Sequence, residues 1–91
     1  MIKVIRLING EQVICDLHDG NGTTYIAKEA FVISPAEQEG LIKYVPFAPY
    51  SQTLGALEIS KSSVSFVSEA APEVEKSYLD IISGMKRPAG E

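Results

Sequence analysis

Apolar and polar residues alternate along the N-terminal part of the chain with the two-residue period of a β-strand, and the alternation pauses at Asn9-Gly10. Asn and Gly tolerate the positive φ angles of a type I′ turn, so this dipeptide predicts a β-hairpin with a two-residue loop. Such a loop places Lys3 opposite Asp16 and Val4 opposite Cys15. Opposite charges that face each other across the strands support this register.

Both faces of the predicted hairpin are apolar. In this register one face carries Ile2, Val4, Val13, Cys15 and Leu17, and the other carries Ile5, Leu7 and Ile14. An antiparallel pair commonly buries one face and leaves the other in water, so two apolar faces need cover on both sides. The pattern therefore predicts a small, tightly curved β-barrel with a further element packed outside it.

A long β-rich stretch, residues 23–34, follows a second predicted turn at residues 19–22. Glycines in that turn allow the backbone to bend freely. The alternation of the long stretch slips around Lys28-Glu29-Ala30. The slip predicts a β-bulge or a sharp bend.

Three shorter strands complete the predicted sheet. Residues 41–50 are strand-like, but Pro46 and Pro49 cannot donate ladder hydrogen bonds, so their half of the segment is predicted as edge strand or loop. Residues 57–59 and 64–67 alternate and are predicted as two short strands separated by a polar turn.

After Glu69 the period changes from strand to helix. Pro72 suits the first turn of a helix, acidic residues follow it, and Gly84 marks the predicted end. The apolar residues at helical spacing are Val74, Tyr78, Ile81, Ile82 and Met85. This face either covers the second apolar face of the hairpin or packs against a neighbouring subunit or another protein. Residues 86–91 are predicted to form a flexible tail.

Composition and charge narrow the class of protein. The chain has 91 residues, of which 45% are hydrophobic and 22% charged, and its formal charge is −4. This composition is typical of one globular domain. Its charges interrupt the apolar N-terminal run, and no stretch approaches the roughly 18 apolar residues of a membrane span. We therefore expect a soluble, cytoplasmic protein whose overall charge repels nucleic acid.

The sequence offers no arrangement of residues that predicts catalysis, a metal site or a cofactor. His18 lies at a turn with only acidic neighbours, and Cys15 lies on an apolar strand face, so we expect a solvated histidine and a buried, inert thiol. The aromatic residues Tyr44, Phe47 and Tyr50 either fill the core or form an exposed interface or stacking surface. We predict a binding protein rather than an enzyme.

Residues 7–17 resemble the opening of the first Sm motif, in which a hydrophobic residue and Asn-Gly precede a spaced hydrophobic, small and Leu pattern. Residues 59–67 resemble the second Sm motif, a short turn between the last two strands. The chain is most similar to small Sm-like proteins encoded by marine phages, and the similarity spans residues 1–68. The resemblance implies a strongly bent, five-stranded SH3-like barrel, with the helix of residues 69–85 appended.

Sm-like proteins pair their edge strands into a closed homo-oligomeric ring that binds single-stranded RNA at its inner rim. The RNA-site positions that the resemblance transfers to this chain are Asn21, Thr24, Tyr25, Ser60 and Lys61. The family's uridine-reading Asn and stacking Arg are absent, since Tyr25 and Ser60-Lys61 occupy their places. The resemblance thus implies an RNA-binding ring in RNA metabolism or chaperoning. The alternative is a ring that has lost RNA binding and acts as a protein scaffold.

Overall fold

The computed structural model describes residues 1–35, 41–47 and 55–86 of the chain. These residues form six β-strands, one short 3-10 helix and one α-helix. The strands are β1 (Ile2–Leu7), β2 (Gln12–Asp19), β3 (Thr24–Pro35), β4 (Ile42–Pro46), β5 (Ala56–Ser60) and β6 (Val64–Glu69). The 3-10 helix (Lys61–Ser63) joins β5 to β6, and α1 (Pro72–Lys86) follows the last strand. The fold is mostly β, as the sequence predicts, but its sheet has six strands where the resemblance implies five.

All six strands belong to one antiparallel sheet with the order β4-β3-β2-β1-β6. Strand β5 lies off this path and pairs with the first half of β3, from Lys28 opposite Ala56 to Thr24 opposite Ser60. Strand β4 pairs with the second half of the same strand. The long β3 therefore contacts two different strands along one edge.

The first hairpin turns at the predicted place but with a different register. Its loop has three residues rather than two: the Leu7 N–H donates to the Glu11 carbonyl at 2.8 Å, and the Gly10 N–H donates to the Leu7 carbonyl at 2.9 Å. Gly10 alone takes a positive φ, 94°, because this loop needs one left-handed residue where a type I′ turn needs two. Lys3 consequently lies opposite Cys15 and not Asp16, which corrects the predicted register.

A register shift of one residue moves the partner side chains to the other face of the sheet. The predicted faces are therefore wrong in membership, although both faces are indeed apolar and buried. On one face Ile5 and Leu7 pack with Val13 and Cys15. On the other face Val4 packs with Ile14.

The predicted irregularity in the long strand is confirmed as a β-bulge. Ile14 pairs with Phe31 and Asp16 pairs with Lys28, so both Glu29 and Ala30 lie opposite Cys15. Glu29 has a φ of 56°, which makes it the one non-glycine residue with positive φ in the described part of the chain. A left-handed conformation costs such a residue about 1–2 kcal/mol, so its surroundings must hold it there.

The concave face of the sheet holds the larger core cluster. Its buried members come from β1, β2, β3 and β5 and are Ile5, Leu7, Val13, Cys15, Ala27, Ala30 and Ile59. Ile59 of β5 shares this cluster with residues of β1, although β2 and β3 lie between β1 and β5 in the sheet. The sheet must curve strongly for these side chains to meet.

The helix covers the opposite face of the sheet within the same chain. Tyr78 and Ile82 are buried against Val4, Ile14 and Phe31, and partly buried residues of the helix surround them. The helix thus packs on an apolar face of the hairpin, but this face carries Val4 and Ile14, whereas the predicted second face carried Ile5, Leu7 and Ile14. The helix also continues through Gly84 to Lys86, so glycine does not end it where predicted. No helix in residues 1–35, 41–47 or 55–86 is long and apolar enough to cross a membrane.

Two of the three central aromatic residues belong to the core. Phe47 is partly buried against the concave cluster, and its N–H donates to the Ala30 carbonyl at 3.0 Å. Tyr44 packs on the helix side, where its hydroxyl lies 3.5 Å from the Val74 carbonyl. Tyr50 and most of the predicted tail, residues 87–91, lie outside the described residues.

We predict that Gly10→Ala lowers the free energy of unfolding by about 1 kcal/mol, because alanine resists the positive φ of the hairpin loop. Gly22→Ala is the matched control, since open space surrounds both glycines and only Gly10 has a positive φ. Urea denaturation of the two variants measures the difference. Equal stabilities would contradict the loop geometry.

Candidate functional site

Two segments distant in the sequence meet at one end of the sheet. Thr24 pairs with Ser60 and Tyr25 with Ile59 where β3 and β5 lie side by side. The Lys61 N–H donates to the Thr23 carbonyl at 2.9 Å and continues this contact beyond the end of β5. The ladder thus brings together all five positions that the resemblance assigned to RNA.

Lys61 and Tyr25 form the centre of this patch. The Lys61 ammonium lies 5.1 Å from the centroid of the Tyr25 ring, within the range of a cation–π interaction. The same ammonium contacts an Asp19 carboxylate oxygen at 2.8 Å. Asp19 pairs with Tyr25 across β2 and β3, so the three side chains project from neighbouring strand ends. We call Asp19, Tyr25 and Lys61 the ring–lysine cluster.

Asp19 stabilises the charged form of the lysine. Its hydrogen bond to the ammonium is the largest cause of a raised Lys61 pKa, and its negative charge adds to the effect. The Lys61 side chain is about one-third exposed and that of Asp19 is mostly exposed, so water and ions reach the pair. Exposed ion pairs are weak, and another anion can compete with Asp19 for the lysine.

Asn21 has a structural role in the turn between β2 and β3. Its side-chain oxygen accepts hydrogen bonds from the N–H groups of Thr23 at 2.9 Å and Thr24 at 3.1 Å. Both threonine hydroxyls donate to the same oxygen, at 3.0 and 3.2 Å. The amide oxygen of Asn21 is therefore engaged within its own turn, as Asn side chains commonly are.

The remaining two candidate positions are hydroxyl residues beside the cluster. The Thr24 hydroxyl bonds to Asn21, and the Ser60 hydroxyl lies 2.8 Å from that of Ser62. Ser60 is exposed and Thr24 is partly buried. Either hydroxyl can accept a further hydrogen bond from a ligand, but the Thr24 hydroxyl can donate to one only by giving up its bond to Asn21.

The chemistry of the arrangement suits binding. It offers a partly buried aromatic ring, a partly exposed lysine side chain and an exposed carboxylate. A ring and a cation in contact suit a planar group with a neighbouring negative charge, such as a nucleobase and its phosphate. Within the described ranges, no three His, Cys, Asp or Glu side chains come together as metal ligands.

Asp19 is the site residue that the sequence interpretation missed. It precedes the turn that carries Asn21, whereas Lys61 lies far along the chain. Their contact depends on the pairing of β3 with β5, which no local pattern predicts. A resemblance transfers only the positions that its motif names, and it named no acidic partner at this position.

The two residues considered for catalysis have ordinary surroundings. Cys15 is fully buried, and burial raises the pKa of its thiol to about 12, which keeps it unreactive near neutral pH. The His18 ring is about half exposed and its Nε2 lies 3.1 Å from Asp16. The structure thus agrees with a buried thiol and a solvated histidine.

No protein-family model matches this chain, and no curated protein matches it.

We predict that Asn21→Ala lowers the free energy of unfolding by about 1 kcal/mol, because the turn loses the oxygen that accepts from Thr23 and Thr24. Asn21→Asp is the control that keeps an acceptor oxygen at the same place, and we expect it to retain most of the stability. Thermal and urea denaturation measure both variants. If alanine and aspartate behave alike, the turn does not depend on this side chain.

Proposed function

We propose that the chain is a subunit of a homo-oligomeric Sm-like ring that binds single-stranded RNA through the ring–lysine cluster. The observation that carries this proposal is the contact between Tyr25 and Lys61. The resemblance assigned these positions to RNA from two separate motifs, and the β3–β5 ladder brings them within 5.1 Å of each other. A stacking surface beside a cation is the combination that single-stranded nucleic acid binders use. The proposed protein is a binding protein and not an enzyme.

The free edges of the sheet support the proposal of a ring. Strand β6 ends the strand order and pairs only with β1 among the described strands. It also exposes Phe66 by 45% and Val67 by 39% of their surface. An exposed apolar edge strand invites pairing with another chain, and a closed ring satisfies every such edge. The resemblance implies that edge strands of neighbouring subunits pair, and we propose that β6 of each subunit pairs with β5 of the next.

The alternative is a ring that binds protein and no longer binds RNA. Two observations favour it. The net charge is −4 per chain, which a ring multiplies by its number of subunits. The one cation of the proposed site is also already paired with Asp19 at 2.8 Å. Bulk repulsion and local neutralisation both weaken the attraction of phosphate.

We expect size-exclusion chromatography with light scattering at micromolar concentration to give a closed oligomer of about five to seven subunits. Val67→Lys should dissociate it, because a lysine on the exposed edge disfavours strand pairing. Leu79→Lys is the matched control, since Leu79 is similarly exposed but lies on α1. A monomeric parent protein would rule out the ring. Dissociation by both variants would place the interface elsewhere.

RNA binding is tested by fluorescence anisotropy with short U-rich and A-rich oligomers at low and physiological salt. Lys61→Glu should weaken binding, and Asp19→Asn should strengthen it, because it removes the carboxylate that competes with phosphate. Tyr25→Ala should cost about 1–3 kcal/mol for each stacked base, whereas Tyr25→Phe keeps the ring and should bind as the parent does.

Lys43→Glu controls for the change in net charge, because Lys43 is exposed on β4 and the ring–lysine cluster lies at the β5 end of β3. Equal weakening by Lys43→Glu and Lys61→Glu would indicate that only the overall charge matters. An intact ring that binds no RNA at low salt would favour the protein scaffold. If no substitution in the cluster changes RNA affinity, the RNA site lies elsewhere on the protein.

A further inference from the structure

The bulge in β3 is the point at which this strand changes its partners. On one side of it Lys28 pairs with Ala56 of β5, and on the other side Phe31 pairs with Pro46 of β4. The register with β2 also shifts there, opposite Cys15. The conformation of Glu29 and Ala30 therefore determines the angle between the two halves of the sheet.

A side chain of the helix holds this bulge. The Tyr78 hydroxyl donates to the Glu29 carbonyl at 2.7 Å, and Glu29 is the residue in the left-handed conformation. Tyr78 is fully buried, and its ring packs edge-on against Phe31 with centroids 6.2 Å apart. A buried tyrosine has few rotamers available, so its hydroxyl is held in place by the packing of α1. Burial also raises the pKa of Tyr78, so the hydroxyl remains a donor at neutral pH.

The N-terminal half of β3, before the bulge, carries Tyr25 of the ring–lysine cluster. Tyr25 lies four residues before Glu29 in the same continuous strand. Strand β5 begins its pairing beside the bulge, at Ala56, and ends at Ser60, immediately before Lys61. Tyr25 and Asp19 are paired in the same ladder. A change in the bend at Glu29 therefore moves the end of the sheet that carries Tyr25, Lys61 and Asp19 relative to the half of the sheet beyond the bulge.

We infer that Tyr78 is a positioning residue for the ring–lysine cluster: its hydroxyl fixes the bulge at Glu29 and so couples the docking of α1 to the geometry of Tyr25 and Lys61. The RNA consequence of this inference rests on the proposed function, but the coupling itself does not. The helix then has a second role beyond covering the apolar face of the hairpin. It sets the shape of a site that it does not touch.

Tyr78→Phe tests the coupling because it keeps the buried ring and removes only the hydroxyl. Tyr44→Phe is the matched control, since the Tyr44 hydroxyl also joins the sheet to the helix, at Val74, but lies away from the bulge. Amide chemical shifts of the folded proteins give the first readout. Tyr78→Phe should shift the amides of Ala30, Tyr25 and Lys61, and Tyr44→Phe should leave Tyr25 and Lys61 unmoved.

Labelling of Cys15 by a soluble disulfide reagent gives the second readout, because this buried thiol lies opposite the bulge and reacts only when the strands open. Loss of one buried hydrogen bond at the bulge should increase the rate about fivefold in Tyr78→Phe. Tyr44→Phe should label at the parent rate. Equal rates and unshifted Tyr25 and Lys61 amides in Tyr78→Phe would overturn the inference.

A rescue variant separates positioning from general loss of stability. Glycine adopts the left-handed conformation without steric cost, so Glu29→Gly should keep the bulge even without its hydrogen bond. The double variant Glu29→Gly/Tyr78→Phe should therefore return the Lys61 amide and the labelling rate toward those of Glu29→Gly alone. If the Lys61 amide shift and the labelling rate of the double variant equal the sum of the two single-variant effects, the coupling does not act through Glu29.

RNA affinity supplies the last readout, with the same short oligomers. Tyr78→Phe should raise the dissociation constant about threefold and Tyr44→Phe should not, if one weakened hydrogen bond at the bulge displaces the cluster. A parent protein that binds no RNA would overturn the proposed function and leave the amide and labelling results as the test of coupling. If Tyr78→Phe shifts the amides but leaves RNA affinity unchanged, Tyr78 affects the fold of the cluster only. That result would overturn the inferred effect of Tyr78 on RNA binding.

Discussion

Burial of both faces of the β1–β2 hairpin is the constraint on which the rest of this structure depends. Ile5 and Ile14 are each fully buried, yet they belong to different clusters on opposite faces of the sheet. Burying a side chain of this size contributes about 1.5–3 kcal/mol, so neither face can be left in water without a large loss of stability. The sheet curves to enclose one face. The helix covers the other.

Curvature in turn requires the bulge in β3. A twelve-residue strand that stayed straight could not pair with β4 and β5 on one edge and still let Ile59 reach the cluster of Leu7. The extra residue bends the strand, and Glu29 accepts an unfavourable backbone conformation as a result. The helix that covers the outer face also supplies the hydroxyl that bonds to this residue. Core packing and strand geometry are therefore not independent in this fold.

The bulge and the covering face of the helix could be predicted because each leaves a local pattern in the sequence. The slip in alternation at residues 28–30 revealed the bulge, and the helical spacing of Tyr78 and Ile82 revealed the covering face. The hairpin register left no such trace, because Asn-Gly fits both two-residue and three-residue loops. The apparent charge pairing was misleading as well, since Lys3 contacts Glu69 of β6 at 3.4 Å. That partner is 66 residues away in the chain, and only the fold reveals it.

The pairing of Lys61 with Asp19 in the candidate site likewise left no local trace in the sequence. This pairing changes how RNA binding at the site would work. The Lys61 ammonium already has an anionic partner, so a phosphate would replace Asp19 rather than meet a free cation. Exchange of one anion for another yields little net Coulombic energy, and the salt dependence of binding would be correspondingly shallow. Stacking on Tyr25 would then supply most of the affinity, because the face of an aromatic ring attracts bases of any sequence at any ionic strength. The orientation of that ring, which the bend in β3 determines, would matter more to such a site than the number of its charges.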